Sequence, residues 1–227
     1  RLVELGGIAG ESTEIKRLAA SEPIKRAFSP VFLTIDAAYW QQLDSAQLLF
    51  FMAAALFEHA QREGLLSEKN AWIAPLRELD KHLFGESGAR VTKATTGLEL
   101  NVFFVKLKQE LMFEQGRRSQ FREMGEKDLT ILIDLIRGLD LDIRRGLVLK
   151  HDSRSPLLLI DDLDKVREAG PQEDVFRRNI AALLRLPVRV VYTVPTGVAF
   201  DRCPPGIREA LVHLYPVPIL KKAPSSF

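Results

Sequence analysis

Apolar residues fall along this chain in two kinds of pattern. Short, mostly apolar runs occupy 2–5, 31–36, 157–160, 188–194 and 211–220. Leu157-Leu158-Leu159-Ile160 has no polar alternation, which predicts a strand buried on both faces, the kind found inside a parallel sheet. Pro156 fits the start of that strand, where no ladder donor is needed. Pro30 introduces the run at 31–36 and Pro195 closes the one at 188–194, while Pro216 and Pro218 restrict the last run to a sheet edge.

Between these runs the apolar residues recur at helical spacing. Ile15, Leu18 and Ala19 mark a first helix that Pro23 ends. Asp44 and Ser45 open a strongly apolar helix through Gln61, with Leu48, Met52, Ala55, Leu56 and His59 on one side and Gly64 at its end. A further helix is expected at roughly 68–84, carrying Trp72, Ile73, Leu76, Leu79 and Leu83, with Pro75 kinking it or shifting its start. Residues 85–108 change character: 91–93, Thr96-Gly97 and 98–105 predict a short β-hairpin with an irregularity at Phe103-Phe104. Helix returns over 106–146, apolar at Leu129, Leu132, Ile133, Leu135, Ile136 and Leu139. Gly170-Pro171 predicts a turn and 175–186 a helix packed on the sheet.

Composition narrows the field without choosing a function. The 227 residues, 46% hydrophobic and 27% charged, describe one large globular domain or one domain with an insertion. A formal net charge of +2 calls for neither nucleic acid nor an acidic membrane surface. Arg117, Arg118, Arg122, Arg144 and Arg145 are interspersed with Glu114, Glu123, Glu126 and Asp142, which reads as a solvated mixed face. The single cysteine, Cys203, excludes an internal disulfide framework and suggests a reducing compartment. The four histidines lack metal-ligand spacing. The longest apolar run, 48–57, is too short for a bilayer span. The chain begins inside a strand-like run and is expected to be a piece of a longer protein.

Two stretches carry candidate chemistry. Asp161 and Asp162 follow the buried run at its carboxyl end, where open α/β sheets place their ligands. Adjacent carboxylates repel unless a cation or donors compensate them. Asp161 would hold a hard cation such as Mg²⁺ and Asp162 would orient a water; an acidic turn capping the next helix is the plainer alternative. Upstream, Gly6-Gly7-Ile8-Ala9-Gly10-Glu11-Ser12-Thr13 joins a strand to a helix, as phosphate-cradling loops do. Against the pattern G-x-x-x-x-G-K-[ST], Gly10-Glu11-Ser12 fills the last three places with glutamate where lysine should stand, and the opening glycine is displaced. Taken alone, this degenerate pattern reads first as a glycine turn with a Ser/Thr helix cap.

Strand, glycine turn and helix, then strands ending in Asp36, Asp161-Asp162 and Thr193, then an edge strand: this series resembles the P-loop ATPases of the AAA+ and STAND type. The segments 11–18, 160–165 and 186–195 resemble one bacterial branch of that family. The resemblance implies a three-layer α/β/α sandwich on a five-stranded, mainly parallel sheet of order 5-1-4-3-2. A helical and β-hairpin insertion is expected at about 64–154, with the C-terminal lid or winged-helix region absent. It implies Asp161 and the Ser12 hydroxyl as Mg²⁺ partners, Asp162 as the catalytic carboxylate and Thr193 as a sensor. Gly6, Gly7, Gly10, Glu11, Ser12 and Thr13 would surround the phosphates of ATP or ADP, with Arg202 or Arg208 completing a neighbouring subunit's site. The expected function is a cytoplasmic nucleotide-binding switch or oligomerisation engine within a larger protein, its hydrolysis weakened by Glu11. Self-association or a partner protein is expected and a membrane is not. The alternatives are a catalytically dead scaffold and, more weakly, nucleic-acid binding through the arginine-bearing insertion.

Overall fold

The buried run around Leu158 becomes the centre of a parallel sheet. A computed structural model describes residues 2–5, 11–35, 42–66, 70–88, 91, 97–166, 168–194 and 211–214. Strand β3 (Ser155–Asp161) pairs in parallel with β2 (Phe28–Thr34) over seven residues, from Phe28↔Ser155 to Thr34↔Asp161. On its other side β4 (Arg189–Thr193) pairs from Leu157↔Arg189 to Ile160↔Tyr192. Two four-residue strands extend the far margin: β1 (Leu2–Leu5) lies beside β4, and β5 (Leu211–Leu214) beside β1. The order is β2-β3-β4-β1-β5.

The two faces of this sheet are covered very unequally. Leu157, Leu159 and Val191 meet Ile15 and Ala19 of helix α1 (Glu11–Ala20) in a small cluster, with Ile24 of α2 (Glu22–Ala27) at its margin. The opposite face, through Val31, Leu33, Leu158, Ile160, Val190 and Tyr192, joins a far larger core. That core belongs to five helices: α3 (Ser45–Arg62), α4 (Ile73–Gly88), α5 (Gly97–Phe113), α6 (Gln115–Lys127) and α7 (Thr130–Leu149).

Helix α3 is the axis of this body and is buried almost all round, as its near-continuous apolar sequence requires. Asp44 caps its start through the Gln47 N–H at 2.8 Å, and the Gln47 side chain returns to the Asp44 N–H. Gly64 closes its end at φ 58°, a backbone region that glycine adopts at little cost. Around α3 the ring of Phe104 stacks on Phe57 at 4.5 Å and on Phe50 at 5.8 Å, and Trp72 meets Phe57 edge-on at 5.2 Å. Trp72 donates its indole N–H to Asp142 at 3.0 Å, so the largest buried side chain among the described residues is also satisfied.

This architecture overturns the expected P-loop three-layer sandwich, since a small sheet is set against a mostly helical body. Helices hold most of the described residues and most of the core. The broad ladder with described side chains is three strands, β2, β3 and β4, and among the described residues one sheet face carries only two short helices. The β-hairpin is also corrected, because Gly97–Phe113 is a single helix. Leu100, Phe103, Phe104, Leu107 and Leu111 are buried at helical intervals, so the adjacent phenylalanines are neighbouring points of one apolar stripe.

Smaller departures have equally local causes. Pro23 stands in the first turn of α2, where its missing N–H costs nothing, instead of ending α1. Pro30 lies inside β2, which is tolerable on an outer strand. Pro75 shifts the start of α4 to Ile73, and a kink falls at Gly85, φ 70°. Gly170 and Pro171 sit within α8 (Ala169–Glu173), followed by a π-helical turn, Asp174–Arg178, and by α9 (Ile180–Leu184). The arginines are not a uniform solvated face: Arg117 is largely buried, 4.2 Å from the Phe84 ring centroid and 3.2 Å from Glu110.

Candidate functional site

Because the strands run parallel, β1, β3 and β4 all finish at one edge of the sheet. Asp161 ends β3 and Thr193 ends β4, one step beyond the Ile160↔Tyr192 pair. Val3 of β1 pairs with Thr193, so β1 ends at this edge too. Asp161, Asp162 and Thr193, singled out from sequence, are thus brought together, and all three are buried. Glu11, Ser12 and Thr13 form the first turn of α1, with their side chains outside the description. Gly6, Gly7 and Gly10 lie outside the described residues, as do Asp36, Arg202 and Arg208.

The turn after Asp161 is tightly specified. Asp162 adopts φ 68°, ψ 2°, a left-handed conformation uncommon for a residue other than glycine. Its N–H donates to Asp161 Oδ1 at 2.8 Å, an Asx contact that supports the reversal. Leu163–Lys165 forms a 3-10 turn anchored by the fully buried Leu163 and Val166, and the Asp164 N–H donates to Thr193 Oγ1 at 3.3 Å. That turn folds Lys165 back so that its ammonium pairs with Asp162 Oδ1. The hydrogen bond that Lys165 donates to Asp162 is the main force holding the lysine's pKa above its ordinary value; burial opposes it, and the charges of Asp162, Asp164 and Asp161 add to the rise.

Oxygen-only donors at this edge match the preference of a hard divalent cation. Asp164 Oδ1 is buried without a hydrogen-bond partner, an acceptor that a cation or its water would satisfy. No group of three His, Cys, Asp or Glu side chains among the described residues is arranged to hold a metal by itself. A cation here would therefore complete its shell with water and ligand oxygens, as Mg²⁺ commonly does.

A second polar site was not foreseen from sequence. A cavity of about 320 Å³ opens between the start of α3, helix α6 and the π-helical turn, lined by Asp44, Ser45, Arg122, Glu126, Asp174, Arg178 and Asn179 among others. The Ser45 N–H and hydroxyl donate to Asp174 Oδ2 at 2.7 and 2.8 Å, and Asn179 Nδ2 donates to its Oδ1 at 3.2 Å. Arg122 Nε meets Asp44 Oδ2 at 3.3 Å. Burial raises the Asp44 pKa to about 6; the Gln47 N–H and Arg122 oppose the rise, and the charge of Asp174 adds a little to it. Gly125 allows this closeness, since a Cβ there would stand 2.4 Å from that of Ala46. The aspartate cap was legible, but Arg122 lies 78 positions from Asp44, and Asp174 lies 129 positions from Ser45, along the chain.

One buried serine–histidine contact is structural in character. Ser29 Oγ lies 3.1 Å from His59 Nε2, but the other ring nitrogen faces Arg62 at 3.3 Å instead of a carboxylate. Burial lowers the His59 pKa and favours the neutral ring.

Comparison with protein families, curated proteins and solved structures finds no match. The family resemblance rests on the motifs of the chain alone. No helix among the described residues is long and apolar enough to cross a membrane.

Proposed function

We propose that this chain is a nucleotide-binding module that takes Mg²⁺–ATP or –ADP at the carboxyl edge of its sheet. The supporting observation is the convergence of Asp161, Asp162 and Thr193 where β1 also ends. In this reading Asp161 receives the cation, with the Ser12 hydroxyl as a second ligand, and Thr193 Oγ1 orients water or a phosphate oxygen. Residues 6–13 surround the phosphates. Bound Mg²⁺ would bridge phosphate oxygens and offset their charge.

Binding without efficient turnover fits the residues best. Asp162, the carboxylate that would orient a nucleophilic water, is tied to Lys165. Glu11 places a negative charge where the phosphate-binding pattern has a lysine. Two unit charges about 4 Å apart interact by roughly 4 kcal/mol at an effective dielectric of about 20, an upper bound on what the exchange from attraction to repulsion moves in each direction. The role that follows is a nucleotide-responsive cytoplasmic switch or scaffold, working through self-association or a partner protein.

Calorimetric titration with Mg-ATP tests this. The chain as written should bind weakly and hydrolyse negligibly, Glu11→Lys should bind at least about tenfold more tightly, and Asp161→Asn should lose the Mg²⁺-dependent part. Absence of binding by both the unaltered chain and Glu11→Lys rejects the nucleotide reading.

A further inference from the structure

The acidic edge already contains a cation of its own. Asp161, Asp162 and Asp164 follow one another within four positions, and the turn that buries Leu163 and Val166 folds Lys165 back onto Asp162. The lysine ammonium pairs with Asp162 and is held in the field of all three carboxylates. Its stem is only partly exposed and its turn is fixed at both ends, by the Asp162 N–H to Asp161 and by the Asp164 N–H to Thr193.

We propose that Lys165 is a built-in counter-ion of this acidic edge, which competes with the divalent cation that Asp161 would hold and gives up Asp162 when Mg²⁺ enters. This rests on the nucleotide reading and adds its regulation. A monovalent ammonium on a flexible stem neutralises the aspartates while the site is empty and sets a threshold for metal entry. Mg²⁺ alone competes poorly with it. Mg²⁺ delivered with phosphate oxygens gains additional ligands, and the released ammonium is a point charge suited to a phosphate. Metal and nucleotide thus favour each other's binding through one side chain.

The test uses Mn²⁺ as the probe for the cation, measured by electron paramagnetic resonance on the full chain without nucleotide. Lys165→Met should bind Mn²⁺ at least about tenfold more tightly than the unaltered chain, because the competing charge is gone. Lys165→Arg should stay close to the unaltered chain, and Asp161→Asn should lose the site in either background. Thermal unfolding of each variant, expected within a few degrees of the parent, shows that the fold is kept. Equal or weaker Mn²⁺ binding by folded Lys165→Met overturns the counter-ion role, and if Asp161-dependent binding is still seen the site itself stands. Tighter Asp161-dependent binding in Lys165→Met with no affinity for Mg-ATP in any variant keeps the counter-ion role and rejects the nucleotide reading. Absence of Mn²⁺ binding in every variant overturns both.

Discussion

Asp44 performs two tasks that pull its ionisation in opposite directions. As the cap of α3 it accepts the Gln47 N–H, which favours a charged carboxylate, yet it is nearly enclosed, which disfavours one. Burial wins and lifts its pKa from the ordinary 3.8 to about 6. A carboxyl whose folded pKa is raised binds its proton more tightly when folded. Its contribution is therefore complete below pH 3.8 and is lost as pH rises through about 6. The span corresponds to about 3 kcal/mol. Asp44→Asn keeps a capping oxygen and removes the titration. Urea unfolding of both proteins at several pH values should show the parent gaining on Asp44→Asn by that order as pH falls from 7 to 4. A constant difference would mean that the carboxyl is solvated in solution. None of this was visible beyond the cap itself, because burial comes from α6 and the π-helical turn, elements far away in sequence.

Helix α7 shows what decides helix against strand in this chain. Its glycines at 138 and 146 lie eight positions apart on one face, and each faces backbone across a helix-to-chain contact. A Cβ at Gly138 would meet the Trp72 nitrogen at 2.6 Å, and one at Gly146 the Leu65 carbonyl at 2.5 Å. Backbone cannot rotate out of the way as a side chain can, so overpacking should dominate any gain in helix propensity. Gly138→Ala and Gly146→Ala should each lose about 1–3 kcal/mol in chemical denaturation. Gly116→Ala in α6, where a Cβ meets nothing, should be neutral or stabilising by up to about 1 kcal/mol. If all three behave alike, the close approaches are relaxed in solution.

The same comparison explains which elements were readable. The strand runs and α3 declared themselves because their apolar residues are consecutive and bounded by Asp44, Gly64 or proline. Residues 97–113 did not, because Leu98 to Val105 satisfies a strand pattern and a helix stripe at once, and only the neighbouring α3 and α6 decide between them. The acidic edge was legible for a related reason. Asp161, Asp162 and the turn after them are consecutive, and Thr193 ends the adjacent strand. The grip of Lys165 on Asp162 was not, since it depends on the left-handed backbone at Asp162.

Across the whole molecule, the sheet is lightly covered on one side and deeply embedded in helices on the other. Sequence indicated parallel strands separated by helices, but not that the helical stretch between the second and third strands would hold most of the core. Those strands, β2 and β3, make the longest ladder in the structure, yet all of α3 to α7 lies between them. Joining their ends in an unfolded chain closes a loop of about 120 residues, at a cost of roughly 4 kcal/mol in chain entropy before any contact repays it. The order of events in folding follows. The helical body, whose neighbours are closer in sequence, should form first and bring β2 and β3 side by side; the sheet then zips onto a surface already made. Phe104→Ala, in the middle of that body, should slow refolding, while Leu159→Ala, on the thin face under α1, should chiefly speed unfolding in stopped-flow chevrons. The reverse assignment would mean that the sheet nucleates. With the expected order, the edge that carries Asp161, Asp162 and Thr193 is the last part of the protein to exist during folding and the first to be lost on opening, so a ligand bound there would report on, and lock, the completed fold.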